Sequence, residues 1–143
     1  MHNDLVSVVI PNYNYAQYLH QAIDSVLNQD YEPIEVIVVD DGSTDQSREI
    51  LRSYGTRIKV IEITNSGAPT ARNYGLMETR GNYIAYLDSD DYWMTNKIST
   101  QIQRLLETGT ELVYCEMKVL DMESHRSIIS TENREGSFKN EFL

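Results

Sequence analysis

Basic residues and long apolar runs are scarce in this chain of 143 residues, and each shortage argues against a class of protein. Twelve Lys and Arg stand against 22 Asp and Glu, which gives a net charge of −10. Without a basic run, nucleic acid and an anionic membrane surface are disfavoured as main partners. No segment approaches the ~18 apolar residues of a membrane span, so none is predicted.

Cysteine is also scarce. The single cysteine, Cys115, cannot form an internal disulfide, which favours a reducing, cytoplasmic location. Cys115 lies in the apolar run 112–117, and this context predicts a small core residue rather than a reactive thiol. The N-terminus lacks a basic region followed by an apolar stretch, so no leader is predicted. Attachment to the inner face of a membrane would require other segments or partners.

Glycine is missing from the first strand-to-helix turn, residues 11–14, which excludes the dinucleotide fingerprint and the P-loop there. Phosphate must therefore be held in another way. Two hydrophobic runs end in acids, at residues 40–43 and 88–91. Asp88 and Asp90, with a third acid behind them, bring several oxygens within reach of one Mg²⁺ or Mn²⁺. The same acids could instead favour a turn. The residues predict metal-assisted binding of a phosphorylated ligand.

Strand-like and helical segments alternate along the chain. Runs rich in Val, Ile, Leu and Tyr predict strands at residues 6–10, 34–39, 58–63, 83–87 and 111–117. Four helices are predicted between them, the first with a capping box of Asn14 and Gln17 and the second beginning near Ser43. This order predicts an α/β fold with a doubly wound, mostly parallel sheet over residues 1–120. Residues 121–143 are predicted to be a hairpin or a loose tail.

Several residues at the predicted strand ends allow two interpretations. Asp40 and Asp41 could favour a helix N-terminus electrostatically, or one could accept a hydrogen bond from a nucleotide base. Tyr13 could pack on Tyr18 as a hydrophobic staple or stack on a base, and the two roles are compatible. Arg72 could pair with phosphate or with one of the acids, or it could form an ordinary surface ion pair.

Five ordered motifs resemble those of family 2 glycosyltransferases with the GT-A fold. They are VSVVIPNY at 6–13, VVDDGST at 38–44, NSGAPTARNYG at 65–75, GNYIAYLDSDDYW at 81–93, and Lys97. The resemblance spans about residues 5–120 and implies a Rossmann-like, nucleotide-binding half. It further implies a nucleotide-sugar donor, often a UDP-sugar, and inverting transfer to a sugar or glycan acceptor, as in polysaccharide biosynthesis.

The resemblance also implies roles for individual residues. It assigns nucleotide binding to eight of them: Pro11, Asn12, Tyr13, Asp40, Asp41, Gly67, Arg72 and Ser89. Tyr13 would lie against the base, Asp41 would contact the base, and Arg72 would lie near the diphosphate. Asp88 and Asp90 would hold Mn²⁺ or Mg²⁺, which would stabilise the leaving diphosphate.

Members of that family continue into an acceptor-binding half that carries the general base. No base is assigned in this chain, because none of Glu132, Glu135 and Glu141 has a suitable context. The chain is therefore expected to be a donor-binding portion that self-associates or needs a missing C-terminal half. Two alternatives remain open: a non-catalytic nucleotide-sugar binding module and a metal-dependent phosphoryl-transfer enzyme. The second is weakened because phosphatases of the haloacid dehalogenase type place acids where this chain has residues 11–13.

Overall fold

The computed structural model describes residues 4–115, 117–121 and 126–130. The elements, in chain order, are β1 (Val6–Asn12), α1 (Ala16–Leu27), β2 (Ile34–Asp40), α2 (Ser47–Ser53), a 3₁₀ turn (Gly55–Arg57), β3 (Lys59–Glu62), α3 (Ala68–Met77), β4 (Tyr83–Tyr86), α4 (Lys97–Thr108), β5 (Met117–Asp121) and β6 (Arg126–Ser130). The chain divides into two compact units, Met1–Gln103 and Arg104–Leu143. None of the described helices has the length and apolar character needed to cross a bilayer.

Four strands of the first unit form one parallel sheet in the order β3-β2-β1-β4. The register pairs Val6 with Ile34 and Asn12 with Asp40, so β1 and β2 end side by side. Helices lie between successive strands in the sequence, because parallel neighbours need a crossover connection. The predicted α/β fold with a parallel sheet is confirmed.

The central strand β1 is buried along its whole length, which requires a covering layer on both faces. On one face α3 lies so close that a methyl group at Gly75 would overlap Val9 Cγ1. Ile37, Val39 and Ala71 pack together on this side. Helix α1 also contacts β1 and β2. It buries an apolar stripe formed by Leu19, Ala22, Ile23 and Val26.

A hydrogen-bond cluster closes the amino end of the sheet. Ser7 Oγ donates to Glu35 Oε1 at 2.5 Å and accepts from the backbone N–H of Gly81 at 2.8 Å. Arg80 donates to the same carboxylate from its backbone at 2.7 Å and from its guanidinium at 2.8 Å. Burial alone would raise the pKa of Glu35, but the hydrogen bonds from Ser7 and Arg80 outweigh it and lower that pKa.

The predicted fifth strand is wrong over residues 111–115, which belong to no strand. Leu112 is 61% exposed and Tyr114 is 50% exposed, so the apolar run is not a buried one. Cys115 is exposed as well, rather than a core residue. An apolar run indicates burial only where a covering layer exists, and the sequence pattern does not reveal that layer. Strand β5 instead pairs antiparallel with β6.

Some of the predictions concern residues that the structure does not describe. The three glutamates considered for the general base, Glu132, Glu135 and Glu141, lie outside the described ranges, as does most of the predicted tail.

Candidate functional site

The carboxyl ends of the four parallel strands lie along one edge of the sheet, which is where open α/β sheets bind ligands. The predicted nucleotide-binding residues occupy the strand ends or the loops that follow, except Arg72, which lies near the start of α3. The fold thus places the predicted residues along a single edge, although they come from segments far apart in the sequence.

Asp40 is a fully buried carboxylate whose two oxygens bind the protein itself. Oδ1 accepts a hydrogen bond from Asn12 Nδ2 at 3.0 Å, and Oδ2 accepts one from the backbone N–H of Ser43 at 3.2 Å. Arg48 Nε lies 3.4 Å from Oδ2 and pairs with the buried charge. Asn12 Oδ1 is buried and receives no hydrogen bond from the described part of the chain. Asp40 therefore supports the loop between β2 and α2.

Asp41 is only 3% exposed and holds the loop between β3 and α3. Its Oδ1 accepts a hydrogen bond from the backbone N–H of Ser66 at 2.7 Å, and its Oδ2 accepts one from Gly67 at 2.8 Å. Gly67 has a φ of +89°, in the region that favours glycine. Asp41 thereby fixes the start of the helix that carries Arg72. Its contact with a base stays a prediction, and it would use lone pairs that these hydrogen bonds leave.

The turn after β1 departs from the predicted capping. Helix α1 begins at Ala16, and its N-cap Tyr15 makes no side-chain cap hydrogen bond, so the capping box of Asn14 and Gln17 is wrong. Asn14 instead has a φ of +57°, and its Oδ1 accepts from the backbone N–H of Thr44 at 2.8 Å. The reason is that asparagine tolerates the left-handed region and its short amide competes for nearby backbone donors.

Asp45, which the sequence interpretation did not single out, caps two helices from one loop. Its Oδ2 accepts from the backbone N–H of Ala16 at 2.9 Å, and its Oδ1 accepts from that of Ser47 at 2.9 Å. Burial would raise the pKa of Asp45, but hydrogen bonding to Ser47 and Ala16 outweighs it and lowers the pKa. Helix α2 begins at Ser47 rather than near the predicted Ser43. An Asp two residues before a helix start was the available signal.

Tyr13 stands at the carboxyl edge of the sheet with 43% of its surface exposed. The ring contact beside α1 joins Tyr15, rather than Tyr13, to Tyr18, with ring centroids 6.2 Å apart. The Tyr13 ring is therefore accessible to a ligand, as stacking on a base requires.

The acids after β4 form a turn, closed by a hydrogen bond of 3.0 Å from the backbone N–H of Asp91 to the carbonyl of Asp88. Arg72 Nη2 lies 2.5 Å from Asp88 Oδ1, while Ser89 between the acids is buried. The pKa of the Asp91 carboxyl is raised, first by its partial withdrawal from solvent and then by the charges of Asp90 and Asp88. The turn thus brings three carboxylates close enough for their charges to interact, with a guanidinium beside Asp88.

The donor set of this turn fits a hard divalent cation. Carboxylate oxygens are the ligands that Mg²⁺ and Mn²⁺ prefer, and a cation would relieve the repulsion that Asp91 experiences. In the ranges that the structure describes, no three His, Cys, Asp or Glu side chains already surround one point. Mg²⁺ sites with substrate phosphates commonly use only one or two carboxylates, and Asp88 and Asp90 are both exposed.

Two solved structures share this architecture. S. aureus TarS 1-349 in complex with UDP-GlcNAc has a TM-score of 0.67 and 35% identity, over 71% of this chain and 31% of that one. The mannosyltransferase PcManGT from Pyrobaculum calidifontis, in complex with GDP-Man and Mn²⁺, has a TM-score of 0.68 and 26% identity, over 73% and 33% of the two chains. The fold is therefore the Rossmann-like GT-A fold of glycosyltransferases.

The sequence comparisons identify the family. The chain belongs to glycosyl transferase family 2, which matches residues 7–142. An uncharacterized glycosyltransferase of Rickettsia typhi is 43% identical over 126 residues, which are 87% of this chain and 40% of that protein. The putative teichuronic acid biosynthesis glycosyltransferase TuaG of Bacillus subtilis is 44% identical over 107 residues, 72% of this chain and 42% of TuaG. The chain thus spans about 40% of the length of these relatives.

Proposed function

We propose that this chain is the donor-binding part of a glycosyltransferase that uses a nucleotide sugar, with a UDP-sugar as the favoured donor. The observation that carries the proposal is the position of Arg72 beside Asp88 at the carboxyl edge of a family 2 sheet. At this position the guanidinium can bind a phosphate group, and the neighbouring carboxylates can bind a metal ion. The UDP-GlcNAc in TarS and the GDP-Man and Mn²⁺ in PcManGT support this choice. Family membership favours glycosyl transfer over phosphoryl transfer.

In the proposed donor pose, the nucleotide lies along the edge formed by the strand ends. Tyr13 stacks on the base beside Pro11, and Asp41 accepts a hydrogen bond from the base edge. Ser89 lies near the ribose, and Arg72 pairs with the diphosphate through its planar guanidinium. The hydrogen bonds of Asp41 to the start of α3 support this pose, because they hold the helix that presents Arg72.

In the proposed transfer, this chain orients the donor and neutralises the leaving group. A divalent cation at Asp88 and Asp90 would supply charge neutralisation to the departing diphosphate. Arg72 would add a second positive charge to it, and Tyr13 would keep the base in place while an acceptor hydroxyl attacks from the opposite face of the sugar. That geometry inverts the anomeric centre. We place the acceptor site and the general base outside this donor-binding part, since the relatives are much longer.

Calorimetry of UDP binding tests the proposal, with Mn²⁺ in one arm and a chelator in the other. We expect UDP to bind well only with Mn²⁺. Asp90→Asn should remove most of the metal-dependent affinity, and the neighbouring Asp91→Asn is the matched control that should remove less. Equal UDP affinity with and without Mn²⁺ would contradict metal-assisted binding. Phosphatase activity without preference for nucleotides would revive the phosphoryl-transfer alternative.

The same proposal predicts donor binding without robust sugar transfer by this chain alone. Strand β4 ends the four-stranded sheet, and its Ile84 and Tyr86 are 44% and 43% exposed, as expected of a face that another part of the protein or a second copy covers. Light scattering combined with a transfer assay over a broad acceptor panel decides the matter. A monomer with robust turnover would contradict the proposal, whereas donor binding without transfer in a longer form of the protein would favour a non-catalytic module.

A further inference from the structure

The ion pair between Arg72 and Asp88 joins two residues with different proposed partners. Arg72 Nη2 lies 2.5 Å from Asp88 Oδ1, so the guanidinium already contacts a carboxylate that the proposed function gives to the metal. The side chains are 36% and 50% exposed, which leaves both open to an incoming ligand. Arg72 and Asp88 therefore contact each other through the same groups that the proposed function assigns to the diphosphate and to the metal.

Such a pair is easily exchanged. Half-exposed ion pairs contribute little to stability, because water screens them and the side chains must be held in one geometry. A guanidinium binds phosphate oxygens as well as carboxylate oxygens, so a diphosphate beside α3 can replace Asp88 as the partner of Arg72. A divalent cation can replace Arg72 as the partner of Asp88. The guanidinium of Arg72 and a divalent cation would repel each other if both contacted the carboxylate of Asp88.

The ion pair of Asp40 at the same edge behaves differently. Asp40 is fully buried and accepts hydrogen bonds from Asn12 and Ser43 in addition to its contact with Arg48. Removing Arg48 would leave a charge buried without its partner, which is costly. Asp88 faces no such cost, because solvent reaches it when Arg72 leaves. The exposed pair is thus the one suited to partner exchange.

We propose that Arg72 competes with the divalent cation for Asp88 until a nucleotide diphosphate draws Arg72 away, so that cation and nucleotide strengthen each other's binding. This exchange rests on the proposed function of the edge as a site for metal and nucleotide. By linkage, the factor by which UDP improves Mn²⁺ affinity equals the factor by which Mn²⁺ improves UDP affinity. Part of that factor comes from direct attraction between cation and diphosphate, and the rest comes from releasing Asp88.

The decisive experiment measures Mn²⁺ binding to the whole chain in the absence of nucleotide, by electron paramagnetic resonance of free Mn²⁺. Arg72→Gln should raise Mn²⁺ affinity by about twofold to fivefold, the equivalent of losing an exposed ion pair. Arg72→Lys keeps a positive charge and should stay near wild type. Arg80→Gln is the matched control, because it removes the same charge from an ion pair at the opposite end of the sheet.

A second arm repeats the titrations with UDP present. Arg72→Gln should lower the factor by which UDP and Mn²⁺ strengthen each other's binding. The decrease should be at least as large as the factor by which the substitution raises Mn²⁺ affinity in the absence of UDP. Unchanged or weaker Mn²⁺ binding by Arg72→Gln without nucleotide overturns the exchange, even if UDP affinity falls. If wild type binds Mn²⁺ but no UDP, the proposed function fails instead, and the nucleotide-free arm still decides whether Arg72 competes.

A variant of the acid covers the case in which Arg72→Gln fails to fold. The proposed exchange leaves Asp88 engaged by Arg72 when no nucleotide is bound, so Asp88→Asn should then reduce Mn²⁺ affinity less than Asp90→Asn does. With UDP bound, the two losses should become similar. A larger loss for Asp88→Asn without nucleotide would show that Asp88 is already available to the cation and would overturn the exchange.

Discussion

Replacing Asp41 by Asn tests how much of the carboxyl edge of the sheet depends on one buried carboxylate. The substitution keeps the size of the side chain and exchanges one oxygen for an NH₂ group. In the native protein, both oxygens accept backbone N–H groups, from Ser66 at 2.7 Å and from Gly67 at 2.8 Å. Asparagine can accept only one of them, and its NH₂ group would face the other donor.

The expected cost follows from these two hydrogen bonds. A hydrogen bond to a charged group contributes about 1.5 to 3 kcal/mol, and a buried donor left unpaired costs about 1 to 3 kcal/mol. Asp41 is 3% exposed, so water cannot easily replace the lost acceptor. We therefore expect the free energy of unfolding to fall by about 2 to 4 kcal/mol, a large share of the stability of a typical domain.

Urea denaturation followed by far-UV circular dichroism measures this change. Asp88→Asn is the control, because it neutralises an exposed Asp in the same acidic region and should cost less than about 1 kcal/mol. A loss below about 0.5 kcal/mol for Asp41→Asn would refute the reasoning, since it would mean that the loop before α3 does not depend on Asp41. A stable variant with altered base preference would instead indicate a direct base contact.

Three further predictions concern stacking, packing and pH. Tyr13→Ala should weaken UDP binding by roughly 1 to 3 kcal/mol in calorimetry. It should leave the stability almost unchanged, because the ring is half-exposed. Unchanged UDP affinity in the folded variant would exclude stacking. Gly75→Ala should lower the free energy of unfolding, measured by urea titration, by roughly 1 to 3 kcal/mol, because its methyl group would overlap Val9. An unchanged free energy of unfolding would mean that α3 can shift to make room for the methyl group. Glu35→Gln should destabilise the protein near neutral pH but not in acid. The pKa of Glu35 in the folded protein is lowered from the ordinary 4.5, so the ionised carboxylate stabilises the fold at pH values above 4.5. This stabilisation is lost as the pH falls through the lowered pKa. Equal destabilisation at both pH values, in urea titrations, would contradict the pKa argument.

The parallel sheet could be predicted because its strands are short runs rich in Val, Ile and Tyr that polar loops follow. Strand β1 shows this most clearly, since all seven of its residues are buried. The predicted fifth strand failed because the run at 111–115 has similar residues but none of them is buried. The amino-acid composition of a segment shows which side chains can be buried, whereas the formation of a strand depends on whether a neighbouring strand is available to pair with it.

Much of the candidate site could be located from the sequence, but its internal contacts could not. Polar residues that directly follow the strands of a parallel sheet must lie at its carboxyl edge, so the sequence pattern alone places them together. Asn14 illustrates the limit, because local capping rules assign it to α1 while its amide in fact binds Thr44, thirty positions along the chain. Asp45 likewise caps α1 from the next loop. Local rules consider only neighbours in the sequence, and these contacts exist only after two loops meet.

The neighbouring acids Asp40 and Asp41 have different partners although their side chains are identical. Asp40, the last residue of β2, reaches Arg48 of α2, whereas Asp41, the residue after the strand, reaches the backbone of Gly67 before α3. Each acid therefore anchors a different loop. Because both acids are buried and use their oxygens for those contacts, they are poor candidates for a metal, whereas Asp88 and Asp90 are exposed in their turn. That difference in burial, more than the number of acids, is why our proposal gives the cation to the turn after β4.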